Sequence, residues 1–293
     1  MSAPFGHVLT AMITPFDGDG GVDHGKVWDL ARYLVDTGSD GLVVGGTTGE
    51  SPTLSGDEKV ALFGSVVEAV GERARVIAGT GTYDTRESIE LSERAAAAGC
   101  HGLMAVTPYY SRPSQEGLTA HFTAIAGSTD LPLLLYNIPS RTGRRIEVET
   151  LAALAAHPSI VAVKDAVGDL GFTTATRVAA PGLAVYSGDD VLTLPMMAVG
   201  AVGVVSVATH LAGREVAAMV AAALAGDWER ARTLHLALAP LAASLFAEPN
   251  PQPVKGALSE HWEPVGDPRL PLVPAAPETV AAVGAALERA RQS

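Results

Sequence analysis

Ser159-Ile-Val-Ala-Val-Lys164 is a short apolar stretch, rich in β-branched residues, that ends on a cation. Apolar residues at consecutive rather than alternating positions mark a strand buried on both faces, as in a parallel sheet covered by helices. Similar runs lie near residues 8–13, 41–46, 75–80, 102–107, 132–137, 183–187 and 202–207. Amphipathic stretches separate them at intervals of about 25–30 residues, the rhythm of repeated βα units. With 160–165 there are eight, the number that closes a barrel. The expected fold is therefore an α/β (β/α)8 TIM barrel.

Local signals place the helices. Ser55 with Glu58 three residues on forms a capping box, and Asp84 with Glu87 has the same spacing. Glycine closes helices at Thr37-Gly38 and Ala98-Gly99. A last barrel helix is expected near 213–225, after which Gly226-Asp227 opens a helical tail. The reading is a catalytic barrel over 1–226 and a C-terminal α-helical domain over 227–293. No low-complexity linker divides them, so the tail should pack on the barrel. The proline-rich stretch 263–277 is read as an ordered loop between tail helices.

Composition narrows the function. The 293 residues are 47% hydrophobic and carry a formal charge of −12, which disfavours nucleic acid as a partner. No apolar run approaches the roughly 18 residues of a membrane span, and the amino terminus has no charged-then-apolar secretory pattern. The single cysteine, Cys100, cannot form an internal disulfide; it reads as a buried thiol and fits a cytoplasmic protein. The histidines at 7, 24, 101, 121, 157, 210, 235 and 261 show no ligand spacing, so no catalytic metal is expected.

In a barrel the active site lies at the carboxyl ends of the strands. There the chain has Gly45-Gly-Thr47-Thr48-Gly-Glu50-Ser51, Tyr109-Tyr110, Tyr136-Asn-Ile-Pro-Ser-Arg141-Thr-Gly143, Lys164 and Ser187-Gly188-Asp189-Asp190. Burial favours the uncharged, nucleophilic form of a lysine amine, which is what a Schiff-base enzyme uses; the bland alternative is a lysine snorkelling at a strand end. The glycine-rich loop is either a plain turn or an anion cradle, and it fits no nucleotide-binding pattern. The tyrosine pair serves catalysis or packing, and Asp189 and Asp190 bind a cation or cap the helix that follows. Amine, phenol and guanidinium together point to a keto-acid site.

These motifs, with Thr10-Ala-Met-Ile-Thr-Pro-Phe16, Glu248-Pro-Asn-Pro-Gln-Pro-Val-Lys255 and Arg269-Leu-Pro-Leu272, make the chain similar over essentially its whole length to the dihydrodipicolinate synthase family. That family belongs to the pyruvate-dependent class I aldolases, with N-acetylneuraminate lyase. The resemblance implies a (β/α)8 barrel with a helical C-terminal domain, assembled as a homotetramer of two tight dimers. It implies pyruvate and L-aspartate-4-semialdehyde as substrates, and a covalent lysine–pyruvate imine with no separate cofactor. By resemblance Lys164 forms the imine, Tyr136 shuttles protons, Thr47 relays them, and Tyr110 completes the relay from the neighbouring subunit. Thr48 holds the pyruvate carboxylate, Val205 and Gly188 complete the pocket wall, and Arg141 clamps the semialdehyde carboxylate. Ser140-Arg141 favours the synthase over sugar-acid aldolases and lyases, and retention of both Lys164 and Tyr136 argues against a non-catalytic sensor.

Lysine-inhibited members bind their effector through residues matching Ser51, Glu87 and Tyr109. Here Gly56 and Lys59 replace two histidines and Tyr83 an asparagine, so feedback by lysine is expected to be weak or absent.

Overall fold

The computed structural model describes residues 3–292; Met1, Ser2 and Ser293, at the outer ends of the two expected domains, lie outside the described residues. Eight parallel strands form a closed barrel in chain order: β1 (Val8–Ala11), β2 (Gly41–Val44), β3 (Arg75–Gly79), β4 (Gly102–Val106), β5 (Leu133–Asn137), β6 (Ile160–Asp165), β7 (Ala184–Ser187) and β8 (Gly203–Ser206). Closure pairs Leu9 with Val205. Most strands stop one or two residues short of the apolar runs, which continue into the loops that carry the polar groups.

Alternation along each strand sorts side chains between two cores. Leu42, Val44, Val76, Ala78, Leu133 and Leu135 face the surrounding helices. Leu9, Val43, Ile77, Met104, Leu134 and Ala162 fill the barrel interior, with Tyr136 above them and Phe5 and Tyr186 in the same cluster. Tyr186 donates to Gly6 O at 2.8 Å, so its hydroxyl is satisfied where a phenol would otherwise be costly to bury.

One irregularity interrupts the ladder between β5 and β6. Leu133 pairs with Ile160 but Leu134 pairs with Ala162, so Val161 is an extra residue on β6. The shift aligns Tyr136 with Lys164 on adjacent strands; an uninterrupted ladder would have set Val163 opposite the phenol.

The barrel is wrapped by α1 (His24–Asp36), α2 (Gly56–Val70), α3 (Thr85–Ala97), α4 (Gln115–Ala126), the single turn α5 (Pro139–Thr142), α6 (Val148–Leu154), α7 (Leu170–Ala179), α8 (Thr193–Ala198) and α9 (Thr209–Leu224). The capping box at Ser55 and Glu58 is formed in both directions. At α3 only half of the expected pattern forms, with Asp84 accepting from the Glu87 N–H. The helix α9 breaks at Ala212 (φ −127°, ψ 45°), so its regular part begins where the expected last barrel helix does. Cys100 is buried, and burial pushes its thiol up to about 12.

Beyond Gly226, Asp227 caps α10 (Trp228–Ser244), followed by α11 (Gln252–His261) and α12 (Pro277–Arg291). α10 packs on α9 and α12, and α11 on α9 and α12. The proline-rich segment between α11 and α12 runs back over the barrel: Phe16 N–H donates to Val265 O at 3.0 Å. Arg269 in that segment donates to Gly20 O and Thr53 O, both at 2.8 Å, and grips Glu58 through two nitrogens at 3.1 and 2.5 Å. Among the described residues no helix is long and apolar enough to cross a membrane.

The Arg269–Glu58 contact makes a testable statement. Hydrogen bonds from Arg269, reinforced by the Ser55 N–H, hold the Glu58 carboxyl down from 4.5 to about 2. A carboxyl depressed in the folded state contributes stability that is complete above its unfolded value and disappears as pH falls through its folded one. The stability difference between wild type and Glu58→Gln should therefore be constant above pH 4.5 and shrink toward pH 2. Urea unfolding across that range measures it, and a difference that does not change with pH would refute the assignment.

Candidate active site

Lys164 stands one residue before the end of β6, 5% exposed, two residues beyond the inward-facing Ala162. Its register partner on β5 is Tyr136, and its Nζ lies 4.2 Å from the centroid of that ring. The amine has room because position 188 is glycine. A Cβ there would stand 3.1 Å from both Cγ and Cε of Lys164 and 2.8 Å from the Ala166 Cβ, closer than such atoms pack.

A cavity of about 220 Å³ opens at this end of the barrel, with Thr47, Ser51, Tyr109, Tyr136 and Arg141 on its wall. Lys164, Thr48, Gly188 and Val205 are not on that wall. Lys164 adjoins it through the Tyr136 ring, Gly188 backs Lys164, and Val205 belongs to the interior core. Thr48 is buried, and its Oγ1 accepts from Asn250 Nδ2 at 2.9 Å.

Arg141 is exposed on α5, a turn opened by Pro139 and closed by Gly143 with φ at 66°. Asn137, at the end of β5, fastens this loop at its far end: Nδ2 donates to Ile146 O and Oδ1 accepts from Ile146 N, both at 3.0 Å. Nothing in the sequence pattern assigns Asn137 a role. Its signal was a fully polar amide inside an otherwise apolar strand end.

Tyr110 is not brought to the cavity by its own chain. It is 96% exposed with φ at 68°, an arrangement that turns the ring outward, whereas Tyr109 lines the wall and meets Tyr83 edge-on at 5.3 Å. Burial, then Tyr83 and Glu87, hold the Tyr109 phenol above its ordinary range. Glu87 also acts on Lys59, whose ammonium burial pushes below its usual value while Glu87 opposes the shift. Ser51, Tyr109, Glu87 and Lys59 thus form one neighbourhood beside the cavity.

The polar ends of β7 and β8 serve the scaffold. Of the two roles open to Asp190, capping the helix that follows is not found, since α8 begins without a side-chain cap. Asp190 instead bonds Ser206 Oγ and the N–H groups of Val207 and Ala208, closing the turn into α9 and taking up the one hydroxyl that β8 offered. Behind Lys164, Asp165 accepts from Thr173 Oγ1 at 2.6 Å and Val167 N at 3.0 Å; burial raises its carboxyl, and these two bonds oppose the shift.

Glu50, Asn250 and Lys255 lie in sequence motifs that give them no role by spacing. Glu50 ends the glycine-rich loop in the left-handed region, φ 57°. Its carboxylate is buried and accepts from Lys255 Nζ and from Arg269 N, each at 2.8 Å. Lys255 also lies 4.1 Å over the Phe16 ring. No group of three or more His, Cys, Asp or Glu side chains that could hold a metal ion occurs among the described residues.

Comparison with known proteins concerns the chain as a whole. The sequence profile of the Dihydrodipicolinate synthetase family matches residues 4–290. The 4-hydroxy-tetrahydrodipicolinate synthase of Moorella thermoacetica is 56% identical over 97% of this chain and 98% of its own. Among solved structures, a dihydrodipicolinate synthase of Bacillus anthracis superimposes with a TM-score of 0.94 at 49% identity, covering 97% of this chain and 98% of that one. The enzyme of Cyanidioschyzon merolae, solved with lysine bound, gives 0.96 at 43% identity over the full length of both chains. With a closed eight-stranded barrel, an inward lysine beside a tyrosine, and a match along nearly its entire length, the chain belongs to the dihydrodipicolinate synthetase family.

Proposed function

We propose that this chain is a 4-hydroxy-tetrahydrodipicolinate synthase, a class I lyase that condenses pyruvate with L-aspartate-4-semialdehyde in the route to diaminopimelate and lysine. The observation that carries the reading is Lys164 Nζ against the Tyr136 ring beneath a cavity walled by Thr47 and Arg141. The Lys164 amine adds to the pyruvate carbonyl and water leaves, giving an imine. The protonated imine draws electrons from the methyl C–H bond, a proton departs, and the resulting enamine carbon attacks the semialdehyde aldehyde. The new oxyanion takes a proton. The substrate amine then attacks the imine carbon, closes the ring and returns Lys164 to its free state.

Tyr136 serves as proton carrier because its phenol adjoins the amine, and Thr47 relays protons from the cavity wall. Thr48 holds the pyruvate carboxylate, Gly188 leaves space for the adduct, and Val205 closes the pocket floor. Arg141, exposed at the cavity mouth, takes the semialdehyde carboxylate, for which a planar bidentate donor is suited. Tyr110 completes the relay from a neighbouring subunit of a homotetramer; its outward exposure supports that role. The soluble substrates and the single buried thiol fit a cytoplasmic enzyme.

Borohydride reduction in the presence of pyruvate should attach one pyruvate-derived group to the Lys164 peptide and abolish activity; an adduct elsewhere, or none, would refute the mechanism. Lys164→Arg should fold and be inactive. Lys164→Ala mixed with Tyr110→Phe should regain activity in hybrid oligomers, and verified hybrids that stay inactive would place Tyr110 outside the relay.

Arg141→Ala should reduce semialdehyde kcat/KM about ten- to a hundredfold, the loss of a charged hydrogen bond worth about 1.5–3 kcal/mol. Trapping of the pyruvate imine should be nearly unaffected. Equal damage to both steps would assign Arg141 to the wrong substrate.

Lysine should inhibit weakly or not at all. In the neighbourhood of Ser51, Glu87 and Tyr109, the Lys59 ammonium already faces Glu87, and the Tyr83 ring adds bulk against Tyr109. A second cation there is disfavoured by like charge. Half-inhibition below about a millimolar, a binding free energy of roughly −4 kcal/mol, would show a working effector site.

A further inference from the structure

The helical tail reaches the Thr48 hydroxyl directly. Asn250, in the turn between α10 and α11, is 6% exposed, and its Nδ2 donates to Thr48 Oγ1 from 202 residues away in sequence. That is the side chain's one hydrogen bond among the described residues, since its buried Oδ1 has no partner there. The segment carrying it is braced: five residues on, Lys255 is fixed to Glu50, two residues beyond Thr48.

A hydroxyl has one proton to donate and two lone pairs to receive with. An amide N–H seated on a lone pair of Thr48 leaves the hydroxyl proton free for another acceptor and limits the directions it can point. We propose that Asn250 is a positioning residue for pyruvate, orienting the Thr48 hydroxyl so that its proton is given to the substrate carboxylate. The proposal rests on the reading of Thr48 as the holder of that carboxylate. Asn250 touches no reacting atom, so its effect falls on pyruvate binding and not on the carbon–carbon bond-forming step. The tail thereby sets the affinity for the first substrate.

The test is steady-state kinetics of the full-length enzyme, each substrate varied in turn, for Asn250→Ala, Thr48→Val and the double variant. Asn250→Ala should raise the pyruvate KM about three- to tenfold, as expected for one lost hydrogen bond, with kcat and the semialdehyde KM within about twofold of wild type. On the Thr48→Val background the same change should have no further effect, because the group it acts through is gone. A pyruvate KM that is unchanged or lowered in Asn250→Ala, or a rise that persists on the Thr48→Val background, overturns the inference. If Thr48→Val alone leaves the pyruvate KM unchanged, the reading of Thr48 fails and the inference with it. If Thr48→Val raises it while Asn250→Ala does not, only the inference fails. Should Asn250→Ala not fold, Asn250→Asp replaces it. An aspartate of the same shape accepts from Thr48 instead of donating, so the pyruvate KM should rise, and the rise should vanish with Thr48→Val; a rise that survives there is charge repulsion and overturns the proposal.

Discussion

The buried contact between Glu50 and Lys255 is the constraint on which the geometry of the site rests. Two charges removed from water cost several kcal/mol each, and such a pair is tolerated only when its partners are close and its remaining valences are filled. Here Glu50 receives Lys255 on one oxygen and the Arg269 N–H on the other, while the Lys255 ammonium also faces Asp267 O and the Phe16 ring. Burial pushes the Lys255 amine below its usual range and Glu50 pulls it back up. The same contacts hold Glu50 in a left-handed backbone conformation, a strain of order 1–3 kcal/mol that a side chain without such anchors would relieve. The loop carrying Thr47 and Thr48 therefore ends at a fixed point.

This arrangement changes what the carboxyl-terminal helices are for. Their packing on α9 buries apolar surface, as any appended helices would. Their polar residues go further, since Asn250, Lys255 and Arg269 reach the loops after β1 and β2 and the first turn of α2. A barrel stripped of the tail would leave Glu50 without its cation and Thr48 without its donor. Barrel and tail build one site, and the tail supplies its rigidity rather than its chemistry.

On the opposite side of the cavity, rigidity comes from the strands. Lys164 is flanked by β5 and β7 and backed by Gly188, where a Cβ would crowd its methylenes and press on the Ala166 Cβ. Asn137 secures the loop that presents Arg141, and Asp165 secures the turn after Lys164. Lys164 and Arg141 thus each lie within a few residues of a polar side chain that bonds backbone, Asp165 for the first and Asn137 for the second. Tyr110 departs from this pattern. Its ring stands in solvent on a strained residue, where a lone chain gains nothing from it.

Much of this was legible in the sequence. Eight short apolar runs separated by amphipathic helices determined the barrel, because their regular alternation fits repeated βα units and eight parallel strands close on themselves. The gathering of Lys164, Tyr136, Thr47 and Arg141 at one end followed from chain direction, since parallel strands place all their carboxyl ends together. Three things were decided only by the tertiary structure. The extra residue at Val161, which brings Lys164 opposite Tyr136, depends on how β6 meets β5 and has no local signature. Asp190 was legible as a cap but not as the cap of a turn sixteen or more residues further on. The roles of Asn250 and Lys255 depend on contacts across more than 200 residues, and no pattern of spacing encodes a hydrogen bond between groups that meet only when the chain has folded.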